Sequence, residues 1–406
     1  MSRCRFCNTE PTRVFCDLGH QPPSNSFLTK AQLDEPEMTY PLKVMVCEKC
    51  WLVQLPEIAK ATDIFSDQYP YYSSQSPANV SHAKKYCGMM MERFNPKWVL
   101  EIGSNDGYML QWFKEKGCIV LGVDPAVGPA DVARKKGIPT TNDFFGSLYA
   151  NILSQHEVGH YDLICSINTI AHQPHINDFV EGLRIALAPN GVTTMEFPHL
   201  MRLVEGNQFD TIYHEHYSYF SLSTIDEIFR KHGLYVFDVD EIPEHGGSLR
   251  IYAKHMDKKN KKFGCVCNLR AREKSNGLKE ISYYQSFQPK IDTIKTHLVR
   301  FLIEAKMEGK TVAGYGAAAK SNTFLNYCGI GPYLLPYIVD RSPHKIGKFC
   351  PGSHIPVVNE SALKQDHPDY VLILAWNLRN EIMEQLSYVR GWGCKFIVAI
   401  PELEVI

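Results

Sequence analysis

The 406-residue chain carries almost no net charge: 43 Lys and Arg stand against 44 Asp and Glu, a formal charge of −1. Proteins that grip nucleic acid or an anionic membrane need a surplus of cations, so the composition points instead to a small-molecule partner. Long apolar runs are missing as well. None approaches the roughly 18 residues that span a bilayer, and no apolar segment follows a basic start. The expectation is a soluble, cytoplasmic chain. Three nucleotide and metal signatures are also absent. There is no G-x-G-x-x-G for a dinucleotide, no G-x-x-x-x-G-K-[ST] for a γ-phosphate with magnesium, and no H-E-x-x-H for a zinc protease. Low-complexity tracts and internal repeats are lacking too.

Cysteine is plentiful, but its number is odd. Thirteen Cys without a secretion signal argue against a disulfide framework and for thiols that are buried, reactive or metal-bound. Spacing decides among these. Cys4-x-x-Cys7 and Cys47-x-x-Cys50 are separated by 39 residues, and each pair can offer two thiolates to one tetrahedral ion. Four sulfurs with no open position describe structural zinc, so these four residues are the expected metal ligands. Cys16 and His20 are spare candidates only.

A length of 406 residues predicts two or three domains. Residues 1–68 are rich in Cys, Pro and turn residues, with a strand expected over Tyr40–Val46, and read as the zinc module. In 69–257, short apolar runs (Trp98–Ile102, Ile119–Val123, Tyr161–Ile167, Gly191–Phe197) alternate with amphipathic helices, the pattern of a parallel sheet with crossover helices. The charged run Asp257–Lys262 marks a boundary. Within 258–406, a helical stretch from about Arg270 to Lys306 precedes a second Rossmann-like α/β unit, with strands at Thr311–Gly314, Tyr337–Val339, Tyr370–Ile373 and Phe396–Ala399. The fold class is therefore α/β, with a small zinc-binding module ahead of two Rossmann-like units.

Trp98–Ile102 is followed by Gly103-Ser104-Asn105-Asp106-Gly107 and then a helix expected near Tyr108. Glycine lets backbone approach a ligand closely, and a helix N-terminus adds orphan N–H donors. Glu101 at the head of this loop suits an ammonium group better than a phosphate. Asp124, 21 residues past Gly103 and after the next strand, is placed to hold ribose hydroxyls. Glu101, Gly103, Asn105, Gly107, Asp124 and Asn168 thus outline a site for S-adenosylmethionine, and Asp143 and Phe144 are candidates for the adenine amino group and ring face.

Ionisable and aromatic residues crowd Tyr213-His214-Glu215-His216-Tyr217-Ser218-Tyr219-Phe220. Such a cluster suits removal of a proton from an acidic C–H or O–H. His172 follows the Tyr161–Ile167 strand, where ligands gather in such sheets. Tyr69–Ser74 can present phenols to a substrate or pack between modules. Farther on, Gly314–Thr323 (GYGAAAKSNT) opens a helix after a strand, so its amides and Lys320 can take an anion, simplest as a substrate diphosphate. Asp340-Arg341-Ser342-Pro343-His344-Lys345 adds polar groups, and Glu244–Arg250 (EHGGSLR) offers a glycine pair and an Arg for substrate or cofactor.

In this order the motifs resemble the deoxysugar C-methyltransferase family, whose members build branched sugars such as mycarose and tetronitrose on nucleotide carriers. The resemblance covers nearly the whole chain: the paired CxxC with Asp17-Leu18-Gly19 between them, VLEIGSNDG, YHEHYSYFS, HGGSLR, GYGAAAKSNT and DRSPHKIGKFCPGSHIPV. It implies that the middle domain binds S-adenosylmethionine and that the C-terminal domain helps to hold a nucleotide sugar, often a dTDP-linked 4-keto-6-deoxyhexose methylated at C3. On this resemblance His216 is the base, with Tyr213 and His172 at the C4 oxygen. Glu215 orients the histidine or binds a sugar hydroxyl, and Tyr71, Ser248, Arg250, Lys320, Asn322, Asp340 and Lys345 contact substrate. Gln75, and Gln173-Pro174-His175, depart from the family pattern and bear on sugar identity. O- or N-methyl transfer is the alternative reaction; a zinc-ribbon nucleic-acid binder is disfavoured by the charge balance.

Overall fold

The computed structural model describes residues 3–10, 13–58, 71–155, 160–257 and 263–406, and these form three sheets. Tyr69, Pro70 and residues 258–262 of the charged run lie outside the described residues. The first sheet contains β1 (Arg13–Gln21), β2 (Tyr40–Val46) and β3 (Val53–Gln54), all antiparallel. The second contains β4 (Trp98–Ile102), β5 (Ile119–Val123), β6 (Thr140–Thr141), β7 (Tyr161–Ile167) and β8 (Leu187–Pro198). A two-residue strand from the middle of the chain, β9 (Ser218–Tyr219), joins the first sheet by pairing with β3. The second sheet is completed by β10 (Leu234–Ile242) and β11 (Ser248–His255). The third holds β12 (Val312–Tyr315), β13 (Ile338–Val339), β14 (Val357–Val358), β15 (Tyr370–Ile373), β16 (Lys395–Val398) and β17 (Glu404–Val405).

In the second sheet the order is β10-β11-β8-β7-β4-β5-β6, with β4 to β8 parallel and β11 reversed against both neighbours. Chain direction turns outward on either side of β4 and β7, leaving a crevice beyond their carboxyl ends where ligands of such sheets bind. The third sheet repeats this arrangement around β12 and β15 in the order β14-β13-β12-β15-β16-β17. Strand cores follow the apolar runs of the sequence: Val99 and Leu100 of β4 and Ile164 and Cys165 of β7 are fully buried, as strands covered on both faces require.

The sequence did not single out β1, the long pair β10 and β11, or the two-residue strands β3, β6, β9, β14 and β17. β10 and β11 form an antiparallel hairpin over eight paired positions, turning at the EHGG segment. The helical stretch resolves into Gly264–Ser275, Ile281–Gln285 and Phe287–Met307. This last helix packs on the first sheet, with Phe287 stacked on Phe15 at 4.7 Å, and Tyr284 from the preceding helix stacks on Trp51 at 5.8 Å. One apolar core therefore runs from β1 and β2 through Leu200–Phe209 to β12 and the helix Ala319–Cys328, so the cysteine-rich segment and the C-terminal sheet share an interior. Among the described residues no helix is long and apolar enough to cross a membrane.

Candidate active site and metal centre

The four cysteines converge as expected. Their sulfurs lie within 4.8 Å of one another, with Cys4–Cys50 and Cys7–Cys47 each at 3.5 Å. Tetrahedral zinc with bonds of about 2.3 Å requires separations near these. Cys16 lies instead in the core of β1, and His20 is exposed. The knuckle is tied to its surroundings: the Phe6 carbonyl accepts from Asn177 Nδ2 at 3.0 Å and Lys231 Nζ at 3.2 Å, while the Arg5 amide donates to Gln54 Oε1 at 3.0 Å.

The loop after β4 has Gly103 and Gly107 at φ +74°, and a Cβ on Gly103 would lie 2.1 Å from Thr169 Oγ1. Only glycine fits this approach of the β4 loop to the end of β7. Glu101 beneath the loop is fully buried. The Leu110 amide favours its ionised form, yet neither carboxylate oxygen is in hydrogen-bonding geometry with any described group. Burial and the neighbouring Asp124 and Asp106 push its pKa well above the ordinary carboxylate range. A buried acid without a partner is costly unless a cation meets it, and the ammonium end of S-adenosylmethionine is such a cation. Removing the charge as Glu101→Gln is therefore expected to raise the Kd for S-adenosylmethionine about 10- to 100-fold, as a charge-assisted bond implies. Titration calorimetry checks this, and an unchanged Kd would remove Glu101 from the site.

Asp124 accepts from the Asn105 amide at 2.8 Å and the Ala126 amide at 2.9 Å, and burial brings its pKa to about 6. Two amides leave lone pairs on both oxygens for ribose hydroxyls. The Asn105 side chain points away from that position. Its Oδ1 accepts from the Ser73 amide at 2.8 Å and its Nδ2 donates to the Tyr71 carbonyl at 3.1 Å. Asp106, which sequence reasoning passed over, accepts from the Ser74 hydroxyl and pairs with Lys136 at 3.4 Å. Together they fasten Tyr71–Ser74 across the loop. Asp143 and Phe144 sit exposed after β6.

The histidine cluster divides into two groups. His214 packs away from the crevice, its Nε2 against the Tyr40 carbonyl at 3.3 Å. His216 lies against His172, with ring centroids 4.7 Å apart, and against Tyr213 at 4.0 Å. His216 Nδ1 sits 2.8 Å from the Thr211 carbonyl, which can only accept, so Nδ1 carries the proton and Nε2 keeps its lone pair. Burial and His172 hold its pKa well below the ordinary imidazole value, and burial takes His172 to about 4 despite a backbone hydrogen bond at Glu215. Tyr213 is pushed the other way by burial and stays a phenol. Orientation of His216 thus comes from the Thr211 carbonyl rather than from Glu215, whose Oε1 accepts from Asn25 Nδ2 at 2.6 Å. Burial lifts Glu215 to about 7.

His245 also enters this cleft. It stands at φ +56° between β10 and β11, and its Nε2 meets Asn168 Nδ2 at 2.9 Å at the end of β7, where Asn168 is itself at φ +56°. Two strained non-glycine residues facing each other mark a place the fold overdetermines. Burial and Lys320 hold His245 at about 4. The signal available in sequence was the Gly246–Gly247 pair, since a Cβ on Gly246 would lie 2.4 Å from Trp376.

Several residues expected at the substrate are occupied inside the protein. Arg250 is 3% exposed, binds Glu196 through Nε at 2.6 Å and lies over the Tyr86 ring at 5.0 Å, so it neutralises a buried carboxylate. The Ser248 hydroxyl closes the hairpin turn on the Glu244 carbonyl at 2.9 Å. Asn322 is fully buried, with Nδ2 on the Ser24 carbonyl at 2.6 Å. Asp340 accepts from the Ala317 and Ser342 amides at 2.8 Å, and Lys345 donates to the Ala317 carbonyl at 2.8 Å, so the pair braces the loop after β12. Lys320 and Tyr71 differ in exposure. Lys320 bonds Asn377 and lies 4.9 Å over the Trp376 ring, while Trp376 Nε1 donates to Asp210 at 2.7 Å. Tyr71 is 49% exposed, with its hydroxyl accepting from Asn79 at 3.0 Å.

Known proteins match this arrangement part by part. A zinc-binding-domain model matches residues 4–65, a methyltransferase-domain model residues 78–239, and a model of the C-methyltransferase C-terminal domain residues 243–401. Over 410 aligned residues the chain is 33% identical to C-methyltransferase NovU of Streptomyces niveus, covering 100% of this chain and 97% of that protein. A stretch of 117 residues is 25% identical to the ubiquinone biosynthesis O-methyltransferase of Pasteurella multocida, covering 26% and 48% respectively. Among solved structures, magnesium protoporphyrin IX methyltransferase of Synechocystis aligns at a TM-score of 0.33 and 13% identity over 44% of this chain and 79% of that one. The PH0226 protein of Pyrococcus horikoshii aligns at 0.38 and 14% over 47% and 100%. The full-length match and the three domain models in their order place the chain in the family of S-adenosylmethionine-dependent C-methyltransferases with an N-terminal zinc-binding module and a dedicated C-terminal domain.

Proposed function

We propose that the chain transfers a methyl group from S-adenosylmethionine to C3 of a nucleotide-linked 4-keto-6-deoxyhexose, with dTDP as the carrier, through an enolate formed by His216. The observation that carries this reading is the His216 tautomer: Nδ1–H on the Thr211 carbonyl leaves Nε2 a free base beside Tyr213 and His172. A carbonyl at C4 acidifies the C3 proton. Nε2 takes that proton, and the C–H electron pair becomes the C3=C4 bond with negative charge on the C4 oxygen. C3 of the enolate would then be the nucleophile for the methyl group that bound S-adenosylmethionine would supply, its carbon–sulfur pair staying on sulfur, with the C4 carbonyl restored. S-adenosylmethionine supplies the electrophilic methyl group. Tyr213, kept protonated by burial, and neutral His172 are donors for the enolate oxygen. Tyr71 borders the sugar, and Lys320 at the mouth of the C-terminal sheet lies toward the diphosphate.

A substrate carrying deuterium at C3, incubated with enzyme and cofactor in ordinary water, is expected to lose its label as a C-methylated product forms, followed by mass spectrometry. Retention of the label with methylation at oxygen or nitrogen would replace the reading by heteroatom transfer.

A further inference from the structure

Residues 22–28, which follow β1, run as a strap between the catalytic cluster and the C-terminal sheet. On the C-terminal side, Asn322 Nδ2 grips the Ser24 carbonyl at 2.6 Å and the Ser24 and Thr323 hydroxyls meet at 3.3 Å. Lys345 lies 5.5 Å over the Phe27 ring, and Leu28 and Phe349 exchange backbone hydrogen bonds of 2.9 and 2.8 Å. Residues expected to bind substrate thus hold this strap. On the other side, Asn25 reaches the histidine cluster, placing Nδ2 2.6 Å from Glu215 Oε1. That is the one hydrogen bond the Glu215 carboxyl group makes among the described residues. That bond fixes Oε1 and makes no demand on Oε2.

We infer that Asn25 is a positioning residue that aims the Glu215 carboxylate at a hydroxyl group of the substrate. This rests on the proposed sugar substrate. The physical case has two parts. Asn322 and Thr323 hold Ser24 and Phe349 holds Leu28, so the backbone on either side of Asn25 is fixed before substrate arrives. An N–H donated to a carboxylate favours the charged form, and a charged acceptor binds a hydroxyl more strongly than a neutral one. Burial already lifts Glu215 to about 7, so losing the Asn25 donor raises it further and leaves less carboxylate at neutral pH.

The test compares Asn25→Ala, Asn25→Asp and Glu215→Gln with the wild-type full chain, using the dTDP-linked 4-keto-6-deoxyhexose as probe. Asn25→Ala is expected to raise KM for the sugar about tenfold or more, as loss of one charged hydrogen bond implies. The acid limb of kcat/KM should move to higher pH while S-adenosylmethionine affinity stays unchanged. Asn25→Asp, which sets one acid against another, should move it further. A merely structural role would lower Tm and leave the pH profile superimposable on wild type, and that result would overturn the inference. So would a Glu215→Gln variant that is impaired while Asn25→Ala is not. Failure of the wild-type enzyme to C-methylate this sugar at all would instead sink the proposed substrate.

Discussion

His216→Asn is expected to lower kcat by about 10²–10⁴-fold, the usual contribution of a well-placed general base, with S-adenosylmethionine affinity unchanged. Asparagine is the informative replacement. Its amide N–H can still reach the Thr211 carbonyl, so the loop keeps its shape, but no basic nitrogen is left where Nε2 stood. His214→Asn serves as the counterpart: that ring rests on the Tyr40 carbonyl and stacks edge-on against Tyr40 at 5.9 Å, so its loss should lower Tm more than kcat. Acidity gives a second readout. Burial and His172 hold the His216 pKa well below 6.5, so the neutral base persists as pH falls and is lost only on passing through that depressed value. The acid limb of kcat should therefore lie below that of an ordinary imidazole. Steady-state rates for both variants across pH check this. Undiminished kcat in His216→Asn, at any pH, would move the base elsewhere, with His172, its ring 4.7 Å away, the next imidazole.

What could be read from sequence were features that local spacing writes directly. VLEIGSNDG announces strand, tight turn and helix because glycine and a buried acid have few other reasons to occur at that spacing, although the helix begins at Leu110 rather than near Tyr108. The CxxC pairs likewise needed no partner beyond each other. Parallel strands announced themselves as short apolar runs, with Gly191–Phe197 lengthened to Leu187–Pro198. Choices made across the chain were hidden. Arg250 reads as a substrate ligand until the structure sets Glu196 against it, and Asn322 until Ser24 arrives from almost 300 residues away. The β10–β11 hairpin went unexpected because the EHGG turn looked like a flexible ligand loop, whereas its left-handed glycines close a β-turn. A two-residue strand such as β9 has no sequence signature of its own. It exists because β3 is there to pair with it.

That last pairing ties the cysteine knuckle to the histidine pair, and the second large expected effect follows from it. Cys4 is followed by Arg5, which donates to Gln54 and lies over the Tyr217 ring at 5.3 Å. Leu55 donates to the Tyr217 carbonyl at 3.0 Å, and Tyr217 donates to the Ala171 carbonyl at 2.8 Å. His216 and His172 are the chain neighbours of those two residues, so the metal knuckle, β3 and both imidazoles form one connected scaffold. Structural zinc binds such thiolate sites with on the order of 10–16 kcal/mol, much of it folding energy. Cys47→Ser is therefore expected to lose the metal and to lower Tm by on the order of 10 °C, since each kcal/mol is worth about 1 °C in a chain of this size. Turnover should collapse with it, because among the described residues β9, which follows His216, pairs with β3 beside the cysteine knuckle. S-adenosylmethionine binding should outlast turnover at intermediate temperature, since Glu101 and Asp124 hang from β4 and β5 inside the second sheet. Metal analysis, thermal unfolding and calorimetry on one preparation test the chain of contacts. A zinc-free variant that melts and turns over like the wild type would break it.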